Sequence, residues 1–123
     1  MTSEINKIMV VRAVISKIKE ESKPFKIEAK ELAEYESPNK IFSRKMEEDV
    51  IPDIAAYYKE ETNIYEIELD KELNIDKWKL LMAYAKNQNG HLFLVVPDYL
   101  KEDVKQHLKQ NNFNAGLIYF QST

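Results

Sequence analysis

The chain has no cysteine. That excludes disulfide staples, thiolate metal sites and cysteine nucleophiles together. It also fits a reducing compartment, and a cytoplasmic location is the expectation. Only two glycines occur, Gly90 and Gly116, so no glycine-rich loop is present to cradle a phosphate. The two histidines, His91 and His107, are isolated and lack the spacing of a zinc site. No stretch approaches the roughly 20 apolar residues of a membrane span. The apolar run at residues 8–14 is broken by Arg12 and lacks a small-residue cleavage site, so it does not read as a signal peptide. A strong charge imbalance is missing too. With 18 basic and 21 acidic residues the net charge is −3, which argues against a protein that coats nucleic acid globally and leaves room for a local basic face.

What remains is 123 residues, the size of one domain over 1–123 with enough chain to bury a core. Ile5, Ile8, Val11, Ile15 and Ile18 follow helical spacing and predict a helix over 4–20, with Ser3 as its cap and Pro24 beyond its end. Residues 25–51 give weaker signals. Phe25-Lys26-Ile27 alternates like a short strand, residues 28–35 suit a helical turn, Ser37-Pro38-Asn39 is a break, and residues 43–50 read as helix or loop. Residues 53–58 and 64–69 alternate with period 2 and predict a hairpin. Asn74 caps a helix with the stripe Ile75, Trp78, Leu81, Met82 and Ala85, closed by Gly90 as a left-handed cap. Leu92-Phe93-Leu94-Val95-Val96 is a continuous apolar run, as a central strand covered on both faces requires. Asp98 caps a further helix carrying Leu100, Val104 and Leu108, and residues 117–120 form the last strand. The expected fold is a three-layer α/β domain. Its mixed sheet has an antiparallel hairpin followed by β-α-β-α-β with right-handed crossovers.

The chemistry-bearing residues sit on the hairpin. Pro52-Asp53 opens one strand and Glu66-Ile67-Glu68 lies on the next. A four-residue loop at 59–62 pairs Ile54 with Ile67, Ala56 with Tyr65, and Asp53 with Glu68. The apolar residues then share one face, and Asp53, Glu66 and Glu68 share the other. Opposed Cβ atoms stand about 5 Å apart, and Glu66 and Glu68 about 7 Å apart along the strand. Two carboxylates at about 5 Å repel by roughly 3 kcal/mol at an effective dielectric of 20. Either a proton is retained or a divalent cation sits between them, and oxygen ligands suit Mg²⁺ or Mn²⁺.

Pro52-Asp53, the spacing of thirteen residues to Glu66, and Glu66-Ile67-Glu68 resemble the motif of the PD-(D/E)xK nuclease superfamily. The downstream β-α-β is similar too. The resemblance implies a restriction-endonuclease-like fold and metal-dependent phosphodiester hydrolysis, on DNA rather than RNA. It implies Asp53 and Glu66 as metal ligands with the Ile67 carbonyl beside them, and Asp53, Glu66 and Glu68 as the catalytic set. Glu68 stands where the family has the lysine that orients water and stabilises phosphate charge. Lys71, Lys77 and Lys79 are the nearby lysines; Lys71 has the wrong strand parity and the other two lie on the next helix. An acid from the first helix often joins such a site, and Glu20 and Glu21 are the choices here.

Other readings stay open. Glu68, the acidic balance and the small size also suit a catalytically silent member of that fold, used as an interaction or assembly module. A generic α/β binding domain with surface acids is the third. DNA binding would be weak without a homodimer or a partner protein. Trp78 reads as core, Tyr57 and Tyr58 as sheet packing, and the stripe Lys101, Lys105, Lys109 as a solvated helix face.

Overall fold

The computed structural model describes residues 6–122. Helix α1 (Lys7–Glu21) starts where the Asn6 side chain accepts from the Ile8 N–H at 2.9 Å. The expected cap, Ser3, lies outside the described residues. Val11, Ile15 and Ile18 are its buried stripe. The helix stops as Lys23 enters the left-handed region (φ 49°) ahead of Pro24, which cannot continue a helix.

A five-stranded sheet follows, in the order β1 (Lys26–Ala29), β4 (Ile54–Tyr57), β5 (Thr62–Ile67), β6 (Leu92–Pro97), β7 (Gly116–Phe120). The first three strands are antiparallel neighbours, and β5, β6 and β7 are parallel. Helices α2 (Ile75–Asn87) and α3 (Lys101–Gln110) make the two parallel crossovers. Side-chain parity divides the sheet between two cores. Helix α1 packs on Ile54, Ala56, Tyr65, Ile67 and Val95. Helices α2 and α3 bury Trp78, Leu81, Val104 and Leu108 against Ala55, Ile64, Leu94 and Val96. The result is the three-layer mixed α/β arrangement expected from the pattern. A separate hairpin, β2 (Ile41–Ser43) with β3 (Glu48–Val50), rests Ile41, Met46 and Val50 on the α2 side.

Several local expectations are corrected. Glu28 and Ala29 belong to β1 rather than to a helical turn, because β4 offers them a ladder. Residues 43–50 form most of a hairpin, not a helix or loop, turning at Glu47, which takes φ 54° without a glycine. The β4–β5 register is displaced by two residues: Ile54 pairs with Tyr65 and Ala56 with Asn63. The cause is a tighter turn, in which Tyr58 N–H donates to the Glu61 carbonyl at 2.8 Å and Thr62 joins β5. A shift of two preserves every side chain's face, but it moves the partner of Asp53 from Glu68 to Glu66. The acid-bearing face is also covered, not solvated, since α2 lies over it. At the end of α2 the left-handed residue is Asn89 (φ 61°), not Gly90. Gly90 is needed for a different reason: a Cβ there would stand 1.9 Å from the Thr62 carbonyl oxygen. Asp98 does not cap α3; it begins a short 3₁₀ turn and accepts from the Ser122 hydroxyl at 2.8 Å.

Candidate active site

Asp53 and Glu66 meet where β4 begins and β5 nears its end. Just before β4, the ladder is continued by side chains. The Asp53 N–H donates to Glu66 Oε1 at 3.0 Å, and the Ile67 N–H donates to Asp53 Oδ2 at 2.8 Å. The Asp53 carbonyl accepts from Lys30 N–H at 3.0 Å. Each acid thus satisfies main chain of the neighbouring strand, which fixes both carboxylates without help from solvent. Asp53 is 1% exposed and Glu66 4%. The Ile67 side chain points to the α1 core on the opposite face.

Two buried carboxylates this close need positive charge. One lysine comes from each helical layer. Lys7, the first residue of α1, places its ammonium 2.9 Å from Asp53 Oδ1, with Glu31 at 3.8 Å. Lys77, on α2, stands 2.9 Å from Glu66 Oε2 and 3.3 Å from Glu68 Oε2. The Asn74 cap sets the start of α2 by accepting from Lys77 N–H at 3.0 Å. Trp78, next in the helix and fully buried, donates its indole N–H to Glu68 Oε2 at 2.5 Å. Trp78 is therefore core, as its spacing predicts, and also the anchor for an acid. Glu68 faces Lys77 and Trp78 and joins the Asp53–Glu66 pair only through Lys77.

The pKa pattern follows from this layout. Burial, then the Asp53 charge, raises the Glu66 carboxyl to about 7, with Lys77 pulling in the opposite direction. Burial lowers both lysines, but Asp53 for Lys7, and Glu66 with Glu68 for Lys77, outweigh it and leave each above its ordinary value. The site is a row of charges, Lys7–Asp53–Glu66–Lys77–Glu68, in which a lysine flanks each side of the Asp53–Glu66 pair and the titratable Glu66 lies at the centre.

Glu20 and Glu21 are not near it. They end α1, a helix about 22 Å long, while Lys7 begins it, and Glu21 pairs with Lys17 at 3.8 Å. Lys71 and Lys79 are exposed. Tyr57 donates to Glu28, Tyr58 shares a 2.6 Å hydrogen bond with Ser22, and His107 Nδ1 is 2.8 Å from the Asp103 carbonyl. These are packing roles. Lys7 is the residue that sequence reasoning passed over: nothing in its neighbourhood on α1 signals a contact 46 residues away.

The oxygens of Asp53 and Glu66 are hard donors suited to Mg²⁺ or Mn²⁺, which are commonly held by one or two carboxylates with water and phosphate completing the shell. Among the described residues no group of three or more acids or histidines is arranged as a metal cage. The donor set fits a two-carboxylate site, with Lys7 now holding the Asp53 oxygen such an ion would share. Lys7 is about one-third exposed and opens a helix, so it is the cation free to withdraw. No protein-family model, curated protein or solved structure matches the chain.

Proposed function

We propose that this chain is a metal-dependent phosphodiesterase of the PD-(D/E)xK nuclease type acting on DNA, in which Lys77 of α2 supplies the cation that β5 lacks. The observation that carries the reading is the Lys77 ammonium, 2.9 Å from Glu66 and 3.3 Å from Glu68. The lysine from the following helix brings to the acids the ammonium that the family's lysine provides, with Glu68 at the strand position as its second partner. The order of elements supports a restriction-endonuclease-like fold: a helix, an antiparallel meander bearing the two acids, then a crossover to a parallel strand.

Asp53 and Glu66 would hold Mg²⁺ or Mn²⁺, with the Ile67 carbonyl beside them. When bound, the ion would acidify a coordinated water and neutralise charge on the phosphate. The chain's own residues do the rest. Lys77 offers an ammonium to a phosphate oxygen as charge builds there. Glu68 and Trp78 hold that ammonium in place, so both are positioning residues. Lys7 exchanges Asp53 for the phosphate backbone, which has the charge to draw it away.

The test is cleavage of supercoiled plasmid in Mn²⁺ by the parent, Asp53→Asn and Lys77→Met. Nicking or linearisation that both substitutions reduce at least about a hundredfold, or about 2.7 kcal/mol of barrier, supports the proposal. Equal cleavage by all three would sink it. One observation favours a second reading, a silent assembly module: every oxygen of Asp53 and Glu66 already has a donor. That reading predicts no cleavage of any DNA or RNA and no Mn²⁺ binding.

A further inference from the structure

The two edges of the sheet are treated differently. At the β1 edge the chain doubles back, and the Glu36 carbonyl accepts from Ala29 N–H at 2.9 Å. Lys26 and Glu28 add charge there, with Lys26 also 3.9 Å from Glu36. Charged side chains and covering loops are how proteins block unwanted strand pairing. No described strand pairs with the outer side of β7 and the strand itself carries no charged residue, although the Lys101 ammonium lies 4.0 Å over the Tyr119 ring. Residues 111–123 contain no charged side chain, in a chain that is 32% charged. Strand β7 is Gly-Leu-Ile-Tyr-Phe, with Ile118 36% and Tyr119 50% exposed. Beside it, between β7 and α1, runs a largely apolar groove of about 400 Å³ lined by Met9, Val10, Val14, Ile118 and Phe120, with Lys17 also in its wall.

We infer that β7 is a homodimerisation edge, on which the β7 of a second copy adds antiparallel across a two-fold axis to make a continuous ten-stranded sheet. The edge demands a strand, because only a strand satisfies its outward N–H and C=O groups in series. It demands a neutral one, because like charges set directly opposite each other are destabilising. The chain's own β7 meets both conditions. Pairing centred on Ile118 sets Leu117 opposite Tyr119 and Gly116 opposite Phe120, so no charged residue of the strand meets its copy. Gly116 is no weak point, since the Phe93 ring fills the space a Cβ would take.

A five-residue strand is about 17 Å long and α1 about 22 Å, so two-fold pairing joins the strands along their length and sets the two helices beside the seam. The axis would bring the two α1 helices over one face of the joined sheet and set the two acid sites at opposite ends.

Sedimentation of the full chain should give a dimer at micromolar concentration, and Ile118→Lys and Tyr119→Lys should each give a folded monomer by far-ultraviolet circular dichroism. Because the chain lacks cysteine, Ile118→Cys offers a second reading that does not depend on a disruptive change. Paired Cα atoms about 4.5–5.5 Å apart lie within disulfide reach. Mild oxidation should therefore link Ile118→Cys into dimers and leave Phe42→Cys, exposed on β2, unlinked. A monomeric parent would overturn the inference and leave the edge to a strand from another protein. A dimer that persists in both lysine variants, or fails to link at Ile118→Cys, would overturn it as well.

Discussion

The antiparallel and parallel halves of the sheet handle polarity in opposite ways. Within the five-stranded sheet the buried polar residues Glu28, Asp53, Thr62 and Glu66 lie on or beside β1, β4 and β5, and a fifth, Ser43, lies on the separate β2–β3 hairpin. Strand β6 and the residues that α3 turns towards it are apolar: Leu92, Leu94, Val95, Val96, Leu100, Val104 and Leu108. One half gains stability from apolar burial with no electrostatic debt. The other holds acids in place through main-chain donors and two lysines, an arrangement that adds little net stability because desolvation offsets the attraction. Under the proposed function, such a half serves chemistry rather than stability. Glu66 and Leu94, cross-strand partners in the β5–β6 ladder, mark the boundary between them.

The comparison can be broken from either side. The largest effect is expected in the apolar half. Leu94→Ala, at a fully buried position, should cost about 2–5 kcal/mol in urea denaturation, with the same loss at every pH. On the acidic side, Lys77→Met removes the partner of two carboxylates and should cost roughly 3 kcal/mol above the Glu66 pKa of about 7. The loss should shrink below that pH, where Glu66 takes up a proton. A pH-independent loss would mean that Lys77 acts by packing alone.

Glu66 itself should set a slope. Its carboxyl titrates at about 7 in the fold against an ordinary value of 4.5. Between those values the folded chain holds a proton that the unfolded chain releases, so stability falls as pH rises through the window. At about 1.4 kcal/mol per pH unit, the window from 4.5 to about 7 limits the change to a few kcal/mol. Glu66→Gln should flatten that stretch of the curve, and an unchanged slope would assign it to another group. The smallest effect is sought at Trp78→Phe, which keeps a buried ring and removes the donor to Glu68. A loss of about 1.5–3 kcal/mol is the upper range, and under the proposed function DNA cleavage should fall more than stability does, because Lys77 is then less well held.

The same division governs what the sequence makes legible. Leu92–Pro97 and the Leu100, Val104, Leu108 stripe announce themselves because burial on all sides leaves an unbroken apolar signal. The hairpin of β2 and β3 does not, since its three-residue strands turn inward only Ile41 and Val50 as apolar residues, with a polar Ser43 beside them, and the turn at Glu47 has no glycine. The β4–β5 register was open to a two-residue displacement because a period of 2 is blind to it. Asp53 and Glu66 keep their common face either way, so their proximity was readable while their true pairing was not. Lys7 and Lys77 reach the acids from separate helices, and tertiary contacts of that kind leave no trace in local spacing. Trp78 shows the same limit: its burial was visible, its hydrogen bond to Glu68 was not.

The central claim is that Asp53 and Glu66 form a cation site now balanced by Lys7 and Lys77. Calorimetric titration of Mn²⁺ into the full chain, beside Asp53→Asn/Glu66→Gln, tests it most directly. The account predicts binding in the parent at tens of micromolar or tighter, about 6 kcal/mol or more. It also predicts proton release below the Glu66 pKa of about 7, seen as a heat that depends on the buffer, and loss of both signals in the double variant. No Mn²⁺ binding by the parent, or equal binding by the two proteins, would contradict it.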